Sequence, residues 1–154
     1  MSDTDPANYM DGWVTSQDGL RLYYRDYGDP FSLETPVLCL SGVTRNSKDF
    51  AKLAERLSQR QSGRHRVICP DFRGRGRSQY DPDWSQYTPP TYANDIRHLL
   101  VSLGINKVHV IGTSLGGIVA MVMAVATPGV LESVVLNDIG PEIGSDGNQG
   151  GLPE

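Results

Sequence analysis

Short β-branched apolar runs alternate along this chain with stretches whose apolar residues recur every three or four positions. Trp13-Val14-Thr15-Ser16 and Leu20–Tyr27 flank Asp18-Gly19, a pair favoured in two-residue turns, and the second arm alternates apolar with polar residues. They predict a hairpin that ends at Gly28-Asp29-Pro30. Pro36-Val37-Leu38-Cys39-Leu40 is continuously apolar, as in a strand covered on both faces. In Lys48–Leu57, Phe50, Leu53, Ala54 and Leu57 fall at i, i+3, i+4 and i+7, which predicts an amphipathic helix capped by Asn46 or Ser47. His65–Cys69 reads as another short strand, and the Pro- and Tyr-rich residues 79–90 as an irregular connection. Thr91 is expected to cap a helix carrying Tyr92, Ile96, Leu99, Leu100 and Leu103, stopped by Gly104. Val108–Ile111 predicts a strand that turns at once into a helix over Leu115–Ala126, apolar nearly all round and so expected to be buried. Leu131–Leu136 is one more strand.

Strands alternating with helices after an opening hairpin argue for an α/β fold: a mainly parallel sheet, an N-terminal antiparallel hairpin and helices on both faces. The core is expected over residues 13–141, between flexible tails at 1–12 and 142–154, the second heavy in Gly and without periodicity. In open α/β sheets, ligands gather beyond the carboxyl ends of the strands. Here those ends are Ser41-Gly42, the loop Asp71–Ser78, Gly112–Gly116 and Asn137-Asp138.

Composition narrows the function classes. With 154 residues the chain suits one domain, and 38% hydrophobic and 21% charged residues are ordinary for a globular protein. A net charge of -4 argues against nucleic acid as a partner, which requires a basic face. No apolar run approaches the roughly 20 residues of a membrane span. The start, MSDTDPANYMDGW, lacks the basic and apolar regions of a signal peptide. Cys39 and Cys69 each sit inside a strand-like run and read as small buried thiols, which makes the cytoplasm the expected compartment.

The chemistry-bearing stretch is Gly112-Thr113-Ser114-Leu115-Gly116, between a strand and a helix. This is the G-x-S-x-G pattern of a nucleophile elbow. A sharp strand-to-helix turn strains the central residue, and small neighbours let strand and helix pack closely. The serine hydroxyl is thereby lifted above the sheet edge, beside the first N–H groups of the helix. The alternative is a plain Gly-rich turn whose serine only caps the helix. Nucleotide motifs are not met: Ser114 interrupts G-x-G-x-x-G, and no G-x-x-x-x-G-K-[ST] occurs. Arg73, Arg75 and Arg77 read either as a solvated loop held by local carboxylates or as an anion site, the first being favoured.

Taken in order, these pieces resemble the N-terminal part of the α/β-hydrolase superfamily. The elbow is Gly112–Gly116, Asp71-Phe72-Arg73-Gly74-Arg75-Gly76-Arg77-Ser78 is similar to the family's D-x-R-G-x-G-x-S segment, and Leu40-Ser41-Gly42-Val43 stands in the place of its oxyanion turn. Ser41 replaces the His that many relatives carry before that Gly. The resemblance implies a serine hydrolase of esters or related acyl compounds, with a small-molecule acyl substrate, water and no cofactor or metal. It implies Ser114 as nucleophile and the backbone N–H groups of Leu115 and Val43 as oxyanion hole. Asp138 is implied as the acid that orients a histidine, the alternative being a turn residue before Gly140-Pro141. Family order places that histidine after the acid, whereas His65, His98 and His109 all precede Ser114. The expectation is therefore a truncated α/β-hydrolase fold with little or no turnover of its own. A second reading is a non-catalytic α/β module that binds a small ligand or a partner chain. In the truncated-hydrolase reading the last strand, Leu131–Leu136, would have an uncovered apolar edge, which predicts self-association; a monodisperse monomer in light scattering would contradict it.

Overall fold

The computed structural model describes residues 8–59 and 64–139. Six strands form one sheet: β1 Tyr9–Thr15, β2 Arg21–Tyr27, β3 Val37–Leu40, β4 Val67–Pro70, β5 Val108–Thr113 and β6 Leu131–Asn137. Their order is β1-β2-β4-β3-β5-β6. The β1–β2 and β2–β4 pairs are antiparallel, and β3 pairs parallel with both β4 and β5, as β5 does with β6. Helices α1 Ala51–Ser58, α2 Pro89–Ser102 and α3 Leu115–Ala126 complete the architecture. The expected parallel sheet with an antiparallel hairpin is what forms.

Strand alternation places a core on each face. Leu38 and Leu40 of β3, Ile68 of β4 and Val108 and Val110 of β5 pack with α2 and α3. Val37 and Cys39 of β3 and Val67 and Cys69 of β4 pack with Phe50 and Ala54 at α1. Successive residues of one strand point to opposite faces, so a continuous apolar run was the necessary pattern. Both cysteines are free and fully buried, and burial pushes the Cys69 thiol up, so it resists ionisation.

Four details differ from the sequence expectation. The first strand starts at Tyr9, so Tyr9–Gly12 belong to the sheet rather than to a tail, paired with Tyr24–Tyr27. The hairpin turn is not a two-residue turn. Ser16 N donates to Leu20 O at 2.7 Å and Gly19 N to Ser16 O at 3.0 Å, which makes Gln17-Asp18-Gly19 a three-residue loop. Gly19 takes φ 93 there, a left-handed position suited to glycine. Helix α2 is capped by Thr88 rather than Thr91: Pro89 and Pro90 occupy the first turn, where their missing N–H groups cost nothing. The third helix is buried along Leu115, Gly116, Gly117, Val119, Ala120 and Met123, but Val125 is 86% exposed because only one side of its last turn is covered among the described residues. The 142–154 segment lies outside the described residues.

The arginine loop is where the structure adds most. Arg73 is 2% exposed, not solvated. Its Nε and Nη2 donate to Asp95 at 2.7 and 2.6 Å, Nη1 to Asp81 at 2.9 Å, and Nη1 and Nη2 to Asp18 at 2.8 and 3.1 Å. A guanidinium has five N–H donors, and all are used. No donor is left for an external anion, so the carboxylate reading holds at Arg73 and the solvated one does not. The hydrogen bonds from Arg73 and Ser16 hold the Asp18 carboxyl at about 2. Burial raises Asp95, against the pull of Arg73.

Candidate active site

The turn between β5 and α3 is built by close backbone approach. A Cβ on Gly112 would meet the Gly116 carbonyl oxygen at 2.6 Å and the Gly117 nitrogen at 2.7 Å. A Cβ on Gly116 would lie 2.5 Å from the Leu40 carbonyl carbon and nearer still to its oxygen. Glycine at both positions lets α3 start directly against β3 and β5. Ser114 sits between them at φ 51 and ψ -113, a conformation that side chains rarely adopt. Ser114 N donates to Asn137 O at 3.1 Å, and Ser114 O accepts from Gly117 N and Ile118 N at 2.9 and 3.1 Å. The backbone on both sides of the turn is thus held while the serine itself stays exposed.

The structure separates the elbow from the plain-cap alternative. The Ser114 side chain makes no cap hydrogen bond to α3. A helix-capping serine has extended backbone and accepts from the second or third helical N–H, and neither condition is met here. Leu115 occupies the first helical position, where no carbonyl lies one turn earlier to receive its N–H.

Ser114 opens into a cleft of about 950 Å³ lined by the segment Ser41–Arg45, by Asp49, Phe50 and Leu53, and by Ile111, Thr113 and Val135–Asp138. The 41–45 segment leaves β3, the strand beside β5, so its turn passes directly over the elbow: a Cβ on Gly42 would touch the Ser114 Cβ at 3.7 Å. Val43 follows that glycine and is 49% exposed. Leu53 was expected on the buried stripe of α1, but it is 39% exposed and lines the cleft instead. Apolar residues at the mouth therefore come from α1 and β6. Sequence periodicity assigned Leu53 to a face, and only the position of α1 makes that face a cleft wall.

Asp138 follows β6 and lines the same cleft, exposed and at φ 63. Its neighbour Asn137 reaches across from β6 to β5, with Nδ2 donating to Thr113 Oγ1 at 3.5 Å. Ser114, Val43, Leu115 and Asp138 are therefore gathered at one sheet edge, three of them, Ser114, Val43 and Asp138, among the cleft-lining residues. Leu115 is buried next to Ser114 as the first residue of α3 and is not itself among the residues that line the cleft.

The three histidines are elsewhere. His109 lies five residues before Ser114 on β5, roughly 16 Å along an extended strand. Its Nδ1 lies 2.7 Å from Ser133 Oγ, and its ring meets that of His65 edge-on at 5.9 Å. His65 Nδ1 is 2.7 Å from the Thr35 carbonyl. His98 is on α2, and none of the three lines the cleft. Among the described residues no group of His, Cys, Asp and Glu could hold a metal ion. No helix among them is long and apolar enough to cross a membrane.

Comparison with known proteins supports the fold. A family profile described as alpha/beta hydrolase fold matches residues 35–149. The 3-hydroxybutyrate-oligomer hydrolase of Cupriavidus necator is 37% identical over 123 residues, 80% of this chain and 40% of that protein. The sn-1-specific diacylglycerol lipase ABHD11 of Danio rerio is 38% identical over 111 residues, 72% of this chain and 33% of that protein. Among solved structures, an alpha/beta hydrolase from Novosphingobium aromaticivorans superposes with a TM-score of 0.81 at 48% identity. The match covers 92% of this chain and 48% of that one. The chain thus spans less than half the length of each of these three proteins.

Proposed function

The chain belongs to the alpha/beta hydrolase fold family, and on that premise we propose that it carries the nucleophile and oxyanion turn of a serine hydrolase acting on esters or related acyl compounds. The observation that carries the reading is the backbone of Ser114. A residue held at φ 51 with no capping bond of its own, exposed at the floor of a cleft, has strain that a structural turn does not need.

In this reading Ser114 Oγ attacks the acyl carbon. The N–H groups of Leu115 and Val43 receive the negative charge that develops on the carbonyl oxygen; loss of one such donor typically costs about 100- to 1000-fold in rate. The intermediate collapses by breaking the bond to the leaving alcohol, which departs with the proton taken from Ser114, and water then hydrolyses the acyl-enzyme to the free acid and restores the serine. Asp138, at the neighbouring strand end, orients the base. A serine hydroxyl needs a proton acceptor, and His65, His98 and His109 are not at the cleft. The reading therefore takes its histidine from a group other than these three. Turnover by this chain alone is expected to fall about 10⁴-fold or more below that of a complete triad.

The test supplies the missing base in diffusible form. A fluorophosphonate probe with added imidazole is expected to give a single adduct by intact mass, located at Ser114, faster than without imidazole and absent in Ser114→Ala. No adduct even with imidazole, or equal labelling of Ser114→Ala, would leave the non-catalytic binding module as the better reading.

A further inference from the structure

The segment whose residues 41–45 border the cleft continues into the wall of a second pocket. That pocket, of about 430 Å³, is lined by Tyr9, Tyr23, Arg25, Asn46, Lys48 and Arg77, with Ser47, Asp71 and Gly76 at its base. Three cations face it against one carboxylate, a net charge of +2 on a chain whose overall charge is -4. The carboxylate is already engaged: Asp71 Oδ1 accepts from Ser47 N at 2.7 Å and Oδ2 from Arg77 N at 3.0 Å, and the residue is buried.

The two arginines are held by aromatic stacking. The Arg25 guanidinium lies 4.1 Å over the Tyr9 ring, and its Nη1 donates to Tyr27 Oη at 3.2 Å. Its Nε is buried with no hydrogen-bond partner among the described residues. Arg77 stacks 4.5 Å from the Tyr23 ring. Its ion pair with Asp11 at 3.1 Å is half exposed on both sides and so contributes little in water. Lys48 has no ion pair among the described residues. Stacking fixes the guanidinium planes, and each guanidinium keeps donors beyond its bond to Tyr27 or Asp11, an arrangement suited to planar, forked recognition of an oxyanion.

We propose that this pocket binds a small dianionic phosphate compound, its oxygens shared among Lys48, Arg25 and Arg77. A dianion balances the net charge of the lining, and phosphate offers several oxygens for two guanidinium forks and one ammonium. A long polyanion is disfavoured, because the rest of the chain is acidic and would repel the phosphates beyond the pocket. The site is independent of Ser114, and Ser114→Ala is expected to leave it unchanged.

Titration calorimetry with inorganic phosphate, in dilute chloride buffer at a pH above its second ionisation so that it is the dianion, tests this. One site is expected, weakened at least tenfold in Lys48→Gln/Arg77→Gln and less in Lys48→Gln alone, which leaves the Arg77 stack intact. Lys52→Gln, an exposed cation of α1 outside the pocket, is expected to bind within twofold of the unaltered chain. Circular dichroism confirms that each variant is folded. Phenyl phosphate binding tighter than inorganic phosphate would assign the site to a phosphate ester that also uses the tyrosine rings. The reverse order would assign it to free phosphate. Heat no greater than that from chloride of matched ionic strength would overturn the proposal. So would equal affinity in the double variant, or an equal loss in Lys52→Gln, which would mark diffuse attraction only.

Discussion

Arg73→Met is expected to destabilise the fold by about 3–5 kcal/mol, the cost of leaving buried carboxylates without their cation. The residue is 2% exposed, and Asp95 and Asp81, at 4% and 9%, have few other ways to be neutralised. Against a total stability of about 5–15 kcal/mol this is a large fraction. Arg73→Lys is expected to recover little, because one ammonium has three donors and cannot reproduce the bidentate contacts to Asp95 and Asp18 together. Urea unfolding reads the loss as a drop in midpoint at unchanged slope. Asp95→Asn added to Arg73→Met should cost much less than the two single changes summed, since the first change removes the charge that the second leaves stranded. Full additivity would show that the carboxylates are not energetically tied to Arg73.

The same cluster has an acid signature. Asp18 has its folded carboxyl at about 2, below the ordinary 3.8. A group depressed on folding stabilises above its unfolded value and loses that contribution as pH falls through the folded one. The unaltered chain is therefore expected to lose stability between about pH 4 and pH 2 from this residue, and the Arg73→Met chain to lose less over that window. Asp18 is 48% exposed on its side chain, so solvent screening keeps this contribution small, and Asp95, which burial raises, has the opposite sign and does not add to it. An identical acid slope in both chains would refute the assignment.

Gly116→Ala is expected to cost about 2–3 kcal/mol, although alanine is the better helix former by about 1 kcal/mol. Sterics win here because the added methyl meets Leu40 backbone, 2.5 Å from the carbonyl carbon and 2.8 Å from the Cβ. No rotamer change relieves a collision with a strand backbone; α3 must move away from β3. The first turn of α3 carries the Leu115 amide, so labelling of Ser114 is expected to fall together with stability. Gly129→Ala is the matched control. Among the described residues nothing lies within 4 Å of its added Cβ, and its expected change is within about 0.5 kcal/mol. Equal melting temperatures for the two variants would mean that the elbow tolerates displacement and that its glycines are not required by packing.

Element types were legible in the chain because they rest on local physics. The continuous β3 run reports cover on both faces, and Phe50, Ala54 and Leu57 at helical spacing report the face of α1 that meets the sheet, whereas the alternation read in β2 is broken by Leu22, Tyr23 and Tyr24, all buried. The elbow was equally legible, since its requirement, two small residues flanking a strained one, is met within five positions. Asn46 was readable as a cap, but of a 3-10 turn over Ser47–Phe50, where its side chain accepts from Lys48 N; α1 itself starts at Ala51 without a side-chain cap. Thr88 was missed because Pro89-Pro90 looked like a break, although proline in the first helical turn is a start signal.

Contacts made across long stretches of chain were decided by tertiary structure alone. Asp18, Asp81 and Asp95 lie 55, 8 and 22 residues from Arg73, so no local pattern announces that they share one guanidinium. The chain fixed which residues form strands and helices, because those forces act between near neighbours. Packing of the finished elements buried Arg73, turned Leu53 into a cleft wall and set Val43 and Asp138 around Ser114, because burial and ion pairing depend on which distant surfaces come to touch.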